Sequence, residues 1–309
     1  MGSPDAVREP TLTEANARAA FTDAAARVPD EPPPDEACDG TGVIIPGGGE
    51  RYLPGAWLTT ALLRRLGCAL PIEIWYMGAA EMPDRWRALL ERLGASTVDA
   101  LALRARHPTR WLGGFELKAY ALLHARFRHV LLLDADNVPV HDPSFLFETE
   151  QYVTGGAIFW PDYGMGRPWL PIGALSRSHP IWELTGVPYR GDREFESGQV
   201  CVDRRRCYRE LALADWLNQR SDFWYRYLWG DKDTFHLAWR KLQREWAMPA
   251  RDPTDLSGMA MAQCDFDGRI VFLHRNGAKW SLGTNPRVPG FTHEDLCFEL
   301  LDELRAALG

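Results

Sequence analysis

Two acids one residue apart, Asp134 and Asp136, follow directly on the apolar run Val130-Leu131-Leu132-Leu133. A continuous apolar run of this kind reads as a strand buried on both faces, as in a parallel sheet. The acids then stand where the strand ends, and in open α/β sheets ligands bind outside the carboxyl ends of the strands. Two carboxylates so close repel one another unless a positive charge lies between them, and a hard divalent cation is the usual solution. Such an ion stabilises the charge that develops on a departing diphosphate. Asp136 is the better metal-ligand candidate. Asp134 is placed to reach both metal and ribose, with Asn137 directly behind the pair. The plain alternative is a solvated turn that caps a helix.

Further groups with the same chemistry are spread along the chain. Gly47-Gly48-Gly49 follows an early apolar run, and glycines let a backbone approach a nucleotide closely. The run fits neither the phosphate-loop pattern nor GxGxxG. Arg51 and Tyr52 behind it are candidates to clamp or stack on the nucleotide, and Lys118, in Gly113-Gly114-Phe115-Glu116-Leu117-Lys118, is a candidate donor to it. In Phe272-Leu273-His274-Arg275-Asn276-Gly277-Ala278-Lys279, His274 offers a nitrogen ligand suited to Mn²⁺, with Mg²⁺ as the alternative ion, and Lys279 a charge to neutralise a diphosphate. Glu196-Ser197-Gly198-Gln199 and Gly230-Asp231-Lys232-Asp233 add carboxylates that would hold sugar hydroxyls or stabilise a cationic sugar-like transition state. Asp231 is equally placed to cap a helix.

The elements that must carry these groups alternate. Strands are expected at 42–45, 71–77, 96–101 and 130–133, with helices at 53–66, 83–93 and 114–127 between them. This pattern predicts a mostly parallel, doubly wound sheet with the carboxylates on its functional edge. Beyond a short helix at 143–147 the alternation loosens. Strands are expected at 155–160, 199–202 and 270–273, with Glu196-Ser197-Gly198 preceding the second of these. Helices are expected at 206–219, 231–244 and 292–307, the last with Thr292 as its N-cap. Residues 1–37 form an N-terminal arm, partly disordered or wrapping, with a helix at 11–27 capped by Thr13. Residues 38–309 form one catalytic domain.

Bulk properties limit the partners. The net charge of −7 over 309 residues argues against nucleic acid, which demands a basic face. Six cysteines with no CxxC pair point to a reducing, cytoplasmic setting rather than a disulfide framework. No stretch of about 18 apolar residues suggests a transmembrane segment. Thirteen tryptophans are many for this length. Trp160, Asp162, Tyr163, Trp169 and Trp182 gather in the region expected to receive an acceptor.

Taken jointly and in order, LLLDADNVPVHDPSFLF, GAIFWPD, ESGQ, GDKDTF and HRNGAKW resemble the fungal mannan-branching α-mannosyltransferases of glycosyltransferase family 71. The resemblance implies a GT-A fold, Mn²⁺ dependence and retention of anomeric configuration. It implies a nucleotide-sugar donor, GDP-mannose being favoured and a UDP-sugar the other candidate. Asp134 and Asp136 match its metal motif, and His274 and Lys279 match a C-terminal His…Lys pair. Glu196 and Asp231 fall where donor-sugar contacts are placed. The fungal enzymes carry an N-terminal membrane anchor that residues 1–37 cannot provide, so the acceptor is expected to be a glycan, a lipid-linked intermediate or a small hydroxyl compound. The rival readings are a sugar nucleotidyltransferase, whose glycine loop usually carries more cations than Arg51 alone, and a sugar-nucleotide-binding protein without turnover.

Overall fold

The computed structural model describes residues 11–32, 38–163 and 175–309. Among the described residues, ten strands form two sheets. In chain order they are β1 (Thr41–Pro46), β2 (Ile72–Tyr76), β3 (Ala95–Asp99), β4 (His129–Leu133), β5 (Asn137–Pro139), β6 (Ala157–Pro161), β7 (Phe195–Asp203), β8 (Thr254–Leu256), β9 (Ala260–Cys264) and β10 (Ile270–His274). The larger sheet runs β3-β2-β1-β4-β7-β6. Its first four members are parallel, and β7 runs antiparallel to both β4 and β6. The smaller sheet, β5-β10-β9-β8, is wholly antiparallel. The expected parallel core is present, and the second sheet is an addition that the alternation of strands and helices does not signal.

β4 shows why the apolar run had to be continuous. Successive side chains of a strand point to opposite faces. Val130 and Leu132 enter one core, with helices Glu116–His124, Tyr208–Asn218 and Asp231–Lys241. Leu131 and Leu133 enter the other, with helices Leu53–Arg65, Asp84–Arg92 and Glu294–Leu308. All four side chains are fully buried. Both faces must therefore be apolar, and the first residue able to meet water is Asp134. In the N-terminal arm, helix Glu14–Arg27 buries Phe21 against Trp216 and Trp224. No helix among the described residues is long and apolar enough to cross a membrane.

Two local expectations are corrected. Residues 196–199 do not precede a strand but lie within β7. The last helix begins at Glu294, with His293 rather than Thr292 at its N-cap position; His293 adopts φ 62° there, and its Nε2 contacts the Val140 carbonyl.

One buried acid on the Tyr208–Asn218 helix has no cation beside it among the described residues. Burial pushes the Asp215 carboxyl up to about 6, with only the Gln219 amide donating to it. A carboxyl raised in the folded state above its unfolded value of about 3.9 contributes fully below that value, and its contribution is lost as pH rises through about 6. Asp215→Asn is therefore expected to melt close to the parent at pH 4 and above it at pH 8. The gain at pH 8 should be on the order of 1–3 kcal/mol in thermal unfolding.

Candidate functional site

The site lies where the two sheets meet. β4 pairs with β7 so that Leu133 stands opposite Gln199, and the next amide, Asp134 N–H, donates to the Gly198 carbonyl at 2.8 Å. The Asn137 N–H donates to the Asp134 carbonyl at 2.9 Å, closing a turn around Ala135. β5 leaves this turn at once and pairs with β10, placing Asn137 opposite His274. The Arg275 N–H then donates to the Asp136 carbonyl at 2.9 Å. Residues some 140 positions apart are thus fixed side by side by one register.

The turn is clamped from the Leu53–Arg65 helix as well. Thr59 Oγ1 donates to the Ala135 carbonyl at 3.0 Å, and a Cβ on Gly55 would stand 2.6 Å from that same oxygen. A glycine inside a helix is a signal of close backbone approach, which makes Gly55 the readable trace of this contact.

Side chains converge above the turn. Ligand atoms of Asp134, Asp136 and His274 lie within 4.8 Å of one another. His274 Nε2 is 3.3 Å from Asp136 Oδ1 and 3.8 Å from Asp134 Oδ2, and its Nδ1 is 3.4 Å from Glu196 Oε1. Lys279 Nζ bonds Asp136 Oδ2. Lys118 Nζ bonds Asp134 Oδ2 at 2.9 Å and Ser197 at 3.3 Å, and stands 3.4 Å from Asp231 Oδ2. Four carboxylates and three bases therefore occupy one largely buried cluster.

The charges tune each other. Burial alone would raise the Asp136 carboxyl, but His274 and Lys279 outweigh it and hold it far below the usual carboxylate range. Burial would raise Glu196 too, yet the His274 imidazole beside it, with Lys118, brings it down to about 2. Burial would lower the His274 imidazole, but Asp136 and Glu196 on its two sides raise it to about 10. Lys118 is raised despite its burial, chiefly by Asp134 and Asp231. Asp231 is raised by burial, which Lys118 only partly offsets.

The residues present fit a divalent ion. Both ring nitrogens of His274 are buried without a hydrogen-bond partner, although carboxylate oxygens surround the ring. Two carboxylates and one imidazole form a mixed oxygen–nitrogen donor set suited to Mn²⁺. To serve as a ligand the imidazole must give up its proton, so metal and proton compete for it.

Several expected binding residues prove to be framework. Trp160 is fully buried and its Nε1 donates to the Cys264 carbonyl, so it faces the core and not an acceptor. Asn137 and Gln199 are fully buried and bonded to each other, which holds β5 against β7. Lys232 is engaged by Asp162 at 3.2 Å, Glu194 at 3.1 Å and Asp233 at 3.0 Å, so neither it nor Asp162 is free for a donor. Gly47 and Gly49 spend their N–H groups on the carbonyls of Trp75 and Glu81. A Cβ on Gly47 would meet Ala56 at 2.4 Å, and one on Gly48 would stand 2.5 Å from both Tyr76 Cβ and Glu81 Oε2, so close packing accounts for these two glycines. Asp231 is the first helical residue, with Gly230 at the N-cap, and its side chain turns to Lys118. Trp182 packs on Tyr189 and bonds the Ser176 carbonyl. Trp169 lies outside the described residues. Tyr52 does belong to the site: it is exposed, with Lys279 Nζ 5.7 Å and the Arg51 guanidinium 5.5 Å from its ring centre. Ser197 was missed because a serine between Glu196 and Gly198 carries no charge pattern of its own.

Gly198 has no room for a side chain. A Cβ there would stand 2.5 Å from His274 Nδ1 and 2.9 Å from Glu196 Oε1. Gly198→Ala is expected to displace the imidazole and weaken Mn²⁺ binding by roughly tenfold or more in a calorimetric titration. Gly114→Ala, where nothing stands within 4 Å, should leave that affinity unchanged.

Comparison with known proteins agrees with this geometry. A family model described as "Mannosyltransferase putative" matches residues 40–168. α-1,2-Mannosyltransferase MNN21 of Candida albicans is 27% identical over 290 residues, covering 76% of this chain and 43% of its own. MNN2 of Saccharomyces cerevisiae is 24% identical over 273 residues, covering 74% and 46%. The chain thus spans less than half the length of these relatives. Among solved structures, the galactosyltransferase LgtC with donor and acceptor sugar analogues aligns with a TM-score of 0.55 at 12% identity, over 86% of this chain and 99% of that one. The bifunctional glycosyltransferase WbbM aligns at 0.52 and 12% identity, over 68% and 39%. The chain is therefore similar to the fungal α-1,2-mannosyltransferases over about three quarters of its length, and it shares the fold of the GT-A glycosyltransferases.

Proposed function

We propose that this protein transfers a hexose from a nucleoside-diphosphate sugar to a hydroxyl acceptor, with retention of anomeric configuration. The observation that carries the proposal is the convergence of Asp134, Asp136 and His274 at the strand ends, with Lys279 beside them. Mannose, as GDP-mannose, is the favoured donor because the similar curated proteins are named α-1,2-mannosyltransferases, and a UDP-sugar is the alternative. The acceptor is proposed to be a glycan or another hydroxyl compound. Six cysteines without a disulfide support a reducing, cytoplasmic setting for it.

Asp134, Asp136 and His274 would hold Mn²⁺ or Mg²⁺, whose chemistry is to neutralise the diphosphate as it leaves. Lys279 is exposed enough to turn from Asp136 to a phosphate oxygen, and it also lies over Tyr52, which supports a nucleoside on that side. Lys118 holds Asp134 and Asp231 in fixed positions. Asp231 and Glu196 present carboxylates to the sugar, where negative charge stabilises the positive charge that builds at the anomeric carbon as the glycosidic bond breaks. Asp231 is nearly dry and the Glu196 side chain only 12% exposed, which strengthens that interaction. The occupied N–H groups of Gly47 and Gly49 speak against the nucleotidyltransferase alternative, which needs that loop to cradle phosphates.

The test is nucleotide release from a panel of GDP-, UDP- and TDP-sugars with and without Mn²⁺. Release of GDP from GDP-mannose only with the metal is expected. Asp136→Asn should reduce it by on the order of a hundredfold or more. No release from any donor, or equal release without metal, would overturn the proposal.

A further inference from the structure

We infer that Trp111, Phe115 and Trp229 form the platform on which an uncharged acceptor sugar docks, an inference that rests on the transferase reading above. Among the described residues these are the three most exposed large aromatics, at 57%, 59% and 51%. An exposed tryptophan or phenylalanine costs solubility and is usually buried, so three on one rim ask for a partner.

They are on the same two backbone segments as the floor of the site. Phe115 is the N-cap residue of the helix that carries Lys118. Trp229 precedes Gly230 and Asp231, and Lys118 Nζ and Asp231 Oδ2 are 3.4 Å apart. The two segments touch at the rim: Phe115 Cγ lies 3.9 Å from where a Cβ on Gly230 would stand. Trp111 Nε1 lies 3.3 Å from the corresponding point on Gly113. The platform is anchored and not a loose flap. Arg110, next to Trp111, makes a two-pronged pair with Asp222 at 2.7 and 2.9 Å, and the Trp229 N–H donates to Asp233 Oδ2 at 2.8 Å.

Position and charge identify the occupant. Tyr52 and Lys279 lie on the Asp136 side of the metal-ligand cluster, while the rim lies beside Lys118 and Asp231, on the Asp134 side. With the nucleoside diphosphate on the first side, a group approaching the sugar from the second meets the three rings. The basic side chains named there are committed, Arg110 to Asp222 and Lys118 to Asp134 and Asp231, while Glu116 Oε2 stands 2.7 Å from the same point on Gly113 that Trp111 Nε1 approaches. Aromatic faces beside a carboxylate suit the C–H face of a neutral pyranose, which stacks on such rings without needing a counter-charge and offers hydroxyls to the acid. They do not suit a phosphorylated or acidic acceptor.

The platform is tested by saturation-transfer NMR of methyl α-D-mannopyranoside with the full chain and no donor present. Saturation of its ring protons by the parent protein is expected, and its loss in Trp229→Ala and Trp111→Ala. With the sugar nucleotide that the parent turns over, Trp229→Ala should raise the acceptor KM roughly tenfold, the donor KM should move less than about twofold, and Trp229→Phe should restore most of the loss. No saturation with the parent, an unchanged acceptor KM, or a rise in donor KM instead would overturn the platform. A parent protein that binds the glycoside but releases no nucleotide from any donor overturns the transferase reading and leaves the platform standing.

Discussion

Four carboxylates share one small, poorly hydrated volume, and the rest of the site is arranged to make that tolerable. Asp134 and Asp136 on one turn, Glu196 on β7 and Asp231 at a helix start meet around His274, Lys118 and Lys279. Buried charges persist only when paired, and removing one partner strands the others. Asp136 and Glu196 on its two sides favour the charged imidazole, one positive charge where a divalent ion would bring two, although both ring nitrogens stay badly placed for hydrogen bonds. The same pocket that forces a proton onto His274 is the one that would exchange that proton for a metal.

This charge cluster depends on backbone joints more than on side-chain packing. The turn Asp134-Ala135-Asp136 is held through its own carbonyls and amides by Gly198, Arg275 and Thr59, one contact from each of three surrounding elements. Gly55 and Gly198 are the positions where bulk is forbidden, one below the turn and one beside the imidazole. A second buried charge knot, Lys232 with Asp162, Glu194 and Asp233, ties β6 and β7 to the helix that begins at Asp231. It keeps Asp231 in register with Lys118, so its contribution is to position and not to contact a donor.

Much of this was legible in the residues themselves. The apolar run into Asp134 implied a doubly buried strand, and the strand–helix alternation implied the parallel core, because both signals are local periodicities. Asp134, Asp136, His274, Lys279, Lys118, Glu196 and Asp231, each singled out for its type, lie together in the structure, with Lys118 paired to Asp134 and Asp231 and not turned to a nucleotide. What stayed hidden depends on non-local pairing. The antiparallel sense of β7, the whole second sheet and the pairing of His274 with Asn137 leave no periodic trace in short strands. Trp160 and Lys232 were misread for one reason: a large ring or a charge near a motif looks available until its partners are known. Trp111 and Trp229 were passed over because exposure cannot be read from residue type.

The central claim is that Asp134, Asp136 and His274 are joint ligands of one divalent ion. The most direct measurement is anomalous diffraction at the manganese edge from crystals grown with Mn²⁺ and GDP. A single strong peak about 2.0–2.3 Å from a carboxylate oxygen of Asp134, one of Asp136 and Nε2 of His274 is the expected result. No peak there, or an ion bound with His274 still seated between Glu196 and Asp136 and outside the coordination sphere, would contradict it.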